Sequence, residues 1–429
     1  MIDLKQYRLD PQTYRQGAAN KWIQLDWTQI DLLDSALRTT KWQLDEVNAQ
    51  RNALSKQVEQ TKRAGASSDA LVEQVKQLKH RIEFLENEYN ETKNTFDALL
   101  AQIPNPALAD VPVGKSDAEN VVVATCGTKP TFTFTPKPHR EILEAKGYLD
   151  QTRAVNLSGS RFVIVRDELA LLELALIQRA VQTLVRKGFS FAMVPQLVKE
   201  DAMYTTGFLP NDSMNLYRVN PKSATPSQER EEDDLWLIGT AEVPLVAQHA
   251  GETLSQHQLP LRYVGFSSCY RREAGTYGKD TKGLIRVHQF EKIEMVSFVL
   301  PEDSAKEHEL LRETEEELLT SLGLPYQRLL ICTGDLGAPA AKKYDLEAWF
   351  PGIDMYKEVT STSNTTDFQT RRGNIKYQQG ETKWFAHALN GTAIACGRIL
   401  AAIVENYQTE QGDIRIPPVL VPFMGKELI

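Results

Sequence analysis

Along the first quarter of the chain, apolar residues recur three and four positions apart. Ile30, Leu33, Leu37, Leu44, Val47, Leu54 and Val58 hold this alternation, with Thr40 and Arg51 in its two polar slots. After Lys62-Arg-Ala-Gly-Ala-Ser-Ser68, a second series runs through Leu71, Val75, Leu78, Ile82, Leu85, Tyr89, Phe96, Leu99 and Ile103, with Thr92 in its polar slot. Heptads sustained in two arms around a short Gly/Ser turn predict an antiparallel coiled-coil hairpin over about 28–103. Each helix of roughly 33 residues extends about 50 Å. Pro104 and Pro106 stop the second helix, because proline lacks the N–H that the next turn needs.

From Lys137 onward the texture is mixed. A helix is expected over Arg166–Arg186 and a strand over Phe189–Val194, ending on Pro195. Strands at Leu235–Leu245, Leu261–Glu273 and Val287–Leu300 follow without long helices between them, which favours an α+β fold with an antiparallel sheet over a doubly wound parallel one. Helices return at Pro301–Leu322 and Gly397–Gln408. Asn211–Asp234, with two prolines and the ending Glu-Arg-Glu-Glu-Asp-Asp, reads as an exposed excursion. The chain thus divides into an N-terminal domain, 1–106, and a larger domain, 107–429.

Charge changes this picture locally rather than globally. A net charge of −8 over 429 residues argues against indiscriminate nucleic-acid binding. Around the hairpin tip, however, Lys56, Lys62, Arg63, Lys76, Lys79 and Arg81 outnumber Glu59, Asp69 and Glu73. Two readings stand: a solvated coiled-coil surface, or a rod whose distal half touches a polyanion. No apolar run is long enough for a membrane span, and the N-terminus MIDLKQYRLD has no targeting character. Four dispersed cysteines (Cys126, Cys269, Cys332, Cys396) give neither a disulfide framework nor a structural zinc site. A reducing, cytoplasmic setting is the expectation.

The stretch CYRREAGTYGKDTKGLIRVHQF, Cys269–Phe290, carries the densest chemistry. Its Gly275-x-x-Gly278-Lys279 lacks P-loop spacing and follows a strand instead of opening a helix. On a strand through Cys269, Arg271 and Glu273 share one face and Arg272 takes the other. A guanidinium beside a carboxylate suits a ligand with phosphates and an amine, such as ATP. A cross-strand ion pair is the other reading of the same two residues.

This stretch resembles motif 2 of class II aminoacyl-tRNA synthetases, and in particular the seryl-tRNA synthetase family. The resemblance runs on in order through Leu237-Ile-Gly-Thr-Ala-Glu-Val-Pro-Leu245, Gly283-Leu-Ile-Arg-Val-His-Gln-Phe290, Thr333-Gly-Asp-Leu-Gly337, Lys342-Lys-Tyr-Asp-Leu-Glu347, Glu358-Val-Thr-Ser361, Asp367-Phe-Gln-Thr-Arg-Arg372 and Leu389-Asn-Gly-Thr-Ala393. The hairpin resembles that family's tRNA-binding arm.

The resemblance implies a class II antiparallel sheet flanked by helices, ATP and Mg²⁺ as cofactors, and transfer of serine to tRNA(Ser), with tRNA(Sec) a further substrate where it exists. It implies catalytic roles for Arg271, on the ATP α-phosphate, and Arg398, the motif 3 arginine. The nucleotide set it implies is Arg271, Arg272, Glu273, Val287, Phe290, Glu358, Val359, Thr360, Ser361 and Arg398, with Glu358 and Ser361 also meeting ATP-bound magnesium. Thr240, Ala241, Glu242, Glu294, Asn390 and Thr392 match serine contacts, and the six basic residues of the tip match the tRNA-binding surface. Arg179–Pro195 resembles motif 1, which implies a homodimer; an internally packed helix and strand is the alternative.

Some positions depart from the family's pattern. Arg272 replaces a common serine, Thr392 replaces a serine but keeps a hydroxyl, and Thr362, Thr365 and Thr366 alter the run after Glu358. Pro221–Glu232 reads as extra loop length. Two competing functions predict different residues. A ligase that passes a small amino acid to another carrier has no use for the hairpin, and a non-catalytic relative is expected to lose Arg271 or Arg398. Threonine- and proline-specific relatives are disfavoured by the lack of a metal-ligand cluster and of a further domain after motif 3.

Overall fold

The structure, a computed structural model, describes residues 2–219, 234–274 and 283–429. The loop tip Gly275–Lys282 and most of the Asn211–Asp234 excursion lie outside the described residues. The chain forms two compact units, one of residues 23–103 and one that joins residues 3–22 to 104–429.

The smaller unit is the predicted hairpin. Helix α1 (Trp27–Arg63) starts where the Asp26 carboxylate accepts the Gln29 N–H. It ends with Gly65 in the left-handed region, the Gly65 N–H bonding to Lys62 O and the Ala66 N–H to Thr61 O. These two bonds satisfy carbonyls that the end of the helix leaves unpaired. Helix α2 (Asp69–Leu100) returns. Every heptad position named above is buried or half-buried, including the polar slots Thr40, Arg51 and Thr92. Leu44 packs on Ile82 and Leu85, whereas Leu54, Val58, Leu71 and Val75 near the tip are only half-covered, because two helices alone cannot enclose a seam.

In the larger unit, strand β1 (Val121–Cys126) precedes helix α3 (Asp167–Arg186) and strand β2 (Ser190–Met193). Strands β3 (Leu261–Tyr270) and β4 (Gln289–Val299) follow, then helix α4 (Ser304–Ser321) and strands β5 (Tyr326–Leu330), β6 (Lys342–Phe350), β7 (Met355–Asn364) and β8 (His387–Ala395). Helix α5 (Cys396–Asn406) completes the set. The eight strands form one sheet in the order β1-β5-β6-β7-β8-β4-β3-β2, and each pairing is antiparallel except β2 with β3. Leu169, Leu172 and Leu176 of α3, Leu311 and Leu318 of α4, and Ile399, Leu400 and Ile403 of α5 pack with Ile293 and Met295 of β4 into the main core. No helix among the described residues is long and apolar enough to cross a membrane.

Two expected strands are shorter than predicted. The strand of Leu235–Leu245 stops at Leu237, and Glu242–Ala247 is helical. The Thr240 hydroxyl accepts the Glu242 N–H at 3.2 Å, and Pro244 falls in the first helical turn, where a missing N–H costs nothing. Apolar alternation could not show this turn. The strand of Leu261–Glu273 stops at Tyr270, and Glu273 has φ +50. Strand parity therefore does not reach Arg271–Glu273, and other contacts must aim those side chains.

Candidate active site

The alternation of β4 builds the site floor. Ile293 and Met295 face the helical core, so Phe290, Lys292 and Glu294 face the other side and line a cavity of about 630 Å³. Between Ile293 and Glu294 the register against β8 shifts, so that Ala393 is skipped and Glu294 stands opposite Thr392. This bulge lets the Thr392 hydroxyl donate to Glu294 at 3.2 Å. A second shift, between Leu346 and Glu347, skips Val359 beside Glu358.

At one end of the cavity lie the residues expected to hold a nucleotide. The Arg271 Nε donates to Gly239 O at 3.1 Å, and its guanidinium sits over the Phe290 ring, 5.4 Å from the centroid. Glu273 pairs with Arg286 at 2.9 Å. Arg398, in the first turn of α5, donates from Nε to Ile285 O at 3.2 Å and pairs with Glu358 at 3.1 Å. Burial would raise the Glu358 carboxyl, but Arg398 and then Lys343 overcome it and bring its pKa down to about 2. Val287, Val359, Thr360 and Ser361 also line the cavity.

The other end is acidic and rich in amides. Glu242 accepts at Oε1 from Gln369 at 2.7 Å and from Asn390 at 2.9 Å. Glu294 pairs with Lys292, whose Nζ also donates to the Thr392 hydroxyl at 3.4 Å. Burial, with Glu294 as the next cause, raises the Glu242 pKa to about 7. This sets a pH dependence of stability. Folded Glu242 keeps a proton that an unfolded chain releases near 4.5, so this site weakens folding progressively as pH rises from 4.5 toward 7. Glu242→Gln removes that penalty. Its melting temperature therefore rises relative to the native chain between about pH 5 and about pH 8 in buffered thermal scans, and a constant difference would contradict the assignment.

Three expected site residues do not line the cavity. Ala241, the N-cap of the helix, packs with Leu245 and Val246, and Thr240 is buried with its hydroxyl accepting the Glu242 N–H. Both fix the entry of the helix that presents Glu242. Arg272 gives its backbone N–H to Asn215 O at 2.9 Å and is absent from the lining, so Arg271 and Arg272 diverge even though the strand has already ended. On the other unit, Lys56, Lys62, Arg63, Lys76, Lys79 and Arg81 are all exposed. Arg63 is paired with Glu59 at 2.5 Å, and Arg81 lies 5.3 Å from the Phe84 ring centroid.

Sequence reasoning missed several contributors. Lys292 stands two residues from both Phe290 and Glu294 on one strand face, so parity alone could have found it. Gln369 lies in a quoted motif, but nothing in sequence says that a helical turn at Phe368–Arg372 aims it at Glu242. Glu315 of α4 is fully buried and accepts from the Thr360 hydroxyl at 2.9 Å, and burial holds its carboxyl well above the usual range. A Cβ at Gly391 would come within 2.7 Å of its Oε1, which explains glycine between Asn390 and Thr392.

This geometry agrees with known proteins. Residues 217–407 match the tRNA synthetase class II core domain (G, H, P, S and T), and residues 1–107 match the seryl-tRNA synthetase N-terminal domain. The chain is 43% identical over 436 residues to the serine–tRNA ligase of Kosmotoga olearia, covering 100% of both chains. It belongs to the seryl-tRNA synthetase family. The seryl-tRNA synthetase of Pyrococcus horikoshii, solved with ATP, superposes with a TM-score of 0.90 at 37% identity, covering 100% of this chain and 99% of that one. The cytoplasmic serine–tRNA ligase of Naegleria fowleri, solved with AMP, gives a TM-score of 0.86 at 30% identity, covering 100% of this chain and 98% of that one. The chain thus has the class II synthetase fold, with an N-terminal helical hairpin and an antiparallel sheet flanked by helices.

Proposed function

We propose that the chain is a serine–tRNA ligase that activates L-serine with ATP to seryl-adenylate, releases pyrophosphate, and transfers serine to the 3′ end of tRNA(Ser), and of tRNA(Sec) where that tRNA exists. The reading rests on a single arrangement: one cavity with Arg271, Phe290 and Arg398 at one end and Glu242, Glu294 and Thr392 at the other.

The adenine stacks on Phe290 and its amine meets Glu273. Arg271 lies on the α-phosphate and Arg398 covers the nucleotide from the motif 3 side, with Val287, Val359, Thr360 and Ser361 completing the pocket. Glu242, with Asn390, takes the serine ammonium group, and Glu294 with Thr392 takes the hydroxyl. A site built to bond a hydroxyl rejects alanine, because its buried acceptors would be left unpaired. The serine carboxylate attacks the α-phosphorus, the bond to the bridging oxygen breaks, and pyrophosphate leaves with the electron pair. Little proton transfer is needed in this step, so positioning and charge neutralisation carry the rate.

Glu358 and Ser361 suit magnesium. The Glu358 carboxyl is held ionised, its Oε1 faces Arg398, and carboxylate and hydroxyl oxygens are hard donors. When bound with ATP, Mg²⁺ neutralises the phosphate charge. Thr240 and Ala241 position Glu242, and Arg272 stands beside the nucleotide without touching it.

The exposed cations of the hairpin, Lys56 to Arg81, bind the tRNA backbone. A homodimer forms through α3 and β2, where Leu174 is 61% and Met193 78% exposed beside an edge strand. The cytoplasm is the place of the reaction. ATP–pyrophosphate exchange with serine, threonine, alanine and glycine, with and without Mg²⁺, tests the activation step. Exchange that depends on serine and Mg²⁺ supports the assignment; equal exchange with alanine, or none with serine, refutes it.

A further inference from the structure

His139 does not line the cavity, yet both of its ring nitrogens are engaged, and their partners fix where its proton sits. The ring is buried at the start of the short helix His139–Lys146, in a T-shaped contact with Phe350. Its Nε2 accepts the Leu284 backbone N–H at 3.3 Å. A backbone N–H can only donate, so Nε2 carries no proton and the neutral ring holds its one proton on Nδ1. Nδ1 donates that proton to Glu405 Oε1 at 2.7 Å. Glu405 is fully buried in α5 and also accepts the backbone N–H of His139 and that of Gly352, each at 2.9 Å. Gly283 makes room for the ring, because a Cβ there would collide with Nε2. The next residues carry this anchor to the nucleotide end. Leu284 and Ile285 both line the cavity, and Ile285 O accepts the Arg398 Nε at 3.2 Å. At Gly397 a Cβ would come within 2.9 Å of Leu284 O, so this backbone lies directly against the start of α5.

Arg398 and Glu405 both belong to α5 (Cys396–Asn406), about two helical turns apart. Residues 283–285 are thus held twice from one rigid element, directly through Arg398 and indirectly through Glu405 and His139. We propose that His139 is a positioning residue for the nucleotide: its Nε2 lone pair fixes Leu284, and with it the Ile285 carbonyl that aims the Arg398 guanidinium. The proposal rests on the reading of the cavity as the serine and ATP site. Without that acceptor the Leu284 N–H is buried and unpaired, which drives residues 284–285 away from their place. Arg398 keeps Glu358 but loses its Nε partner, so ATP must order the guanidinium itself and binds less tightly. Glu294 and Thr392 stand on β4 and β8 and share none of these bonds, so the amino-acid end keeps its geometry.

His139→Leu and His139→Gln separate the acceptor from the bulk of the ring. Leucine fills similar space without an acceptor. Glutamine reaches as far as Nε2 with an amide oxygen, and Glu405 keeps its two backbone N–H partners. In serine-dependent pyrophosphate exchange, His139→Leu raises the KM for ATP and lowers kcat/KM for ATP by roughly 10- to 100-fold, with the KM for serine within about threefold of native. His139→Gln recovers most of that loss. A fall in kcat with the ATP KM unchanged would make the ring a packing element only, and equal impairment of the two variants would leave the acceptor without a role; both results overturn the proposal. If His139→Leu does not fold, NMR of the native chain labelled at histidine nitrogen decides: the proposal requires a proton on Nδ1 and a bare Nε2. A proton on Nε2, or on both nitrogens, overturns it. Absence of serine-dependent exchange in the native chain refutes the serine and ATP reading itself, whereas exchange with an unaltered ATP KM in His139→Leu refutes only the role of His139.

Discussion

Deleting residues 45–81 and joining Leu44 to Ile82 through a short Gly-Ser turn abolishes transfer of serine to tRNA, while serine-dependent pyrophosphate exchange stays within about threefold of the full chain. The cut follows the packing. Leu44 meets Ile82 and Leu85 across the seam, so the shortened helices still close on one another below it. The deletion removes all six exposed cations of the distal rod. Each phosphate contact contributes through release of condensed counterions, and loss of several such contacts lowers kcat/KM for tRNA by roughly 10³-fold or more at moderate salt. The activation residues all lie in the other compact unit, which keeps its own core. Comparable loss of both activities would show that the rod is needed for the fold or the chemistry of the larger unit, and would refute this division of labour.

The second large effect separates two neighbouring arginines. Arg271→Gln lowers kcat/KM for pyrophosphate exchange by roughly 10²- to 10³-fold, because it removes a preorganised cation from the centre where charge develops. Arg272→Gln changes the same constant by less than about threefold, since it removes a side chain that does not line the cavity. The contacts of Arg271 are a backbone carbonyl and a ring face, so the glutamine variant leaves no buried carboxylate unpaired and its melting temperature stays close to native. Steady-state exchange with both variants decides the matter. Equal losses at the two positions would remove the basis for assigning the α-phosphate to Arg271.

The sequence was most informative where a period repeats. The hairpin was readable because each turn restates the heptad, so even Thr40, Arg51 and Thr92, the wrong residue types for a seam, fall inside it. The antiparallel sheet was readable from strands that follow one another without intervening helices. Single local events were not. The helix at Glu242–Ala247 begins beside a local bond from the Glu242 N–H to the Thr240 hydroxyl, and the alternation of Leu235, Leu237 and Val243 carries no trace of it. The end of β3 at Tyr270 depends on the backbone turning at Glu273, a glutamate with positive φ for which composition gives no warning.

The candidate site divides along the same line. Arg271, Glu273, Phe290, Glu358 and Arg398 were legible as members of short motifs, and the cavity gathers them. Gln369, Glu315 and Gly391 act by touching residues far away in sequence, Glu242 and Thr360 among them, and such contacts exist only once the sheet has formed. Lys292 is the intermediate case. Its face was predictable from strand parity, but its partners Glu294 and Thr392 come together only through the bulge in β8.

The most direct test is aminoacylation of total tRNA by the purified chain with ATP, Mg²⁺ and labelled L-serine, followed by identification of the charged species. The account predicts that label appears on tRNA(Ser), and on tRNA(Sec) where that tRNA is present, through an ester at the 3′ end. Serine-dependent pyrophosphate exchange without any charged tRNA, or label spread over tRNAs for other amino acids, would contradict it.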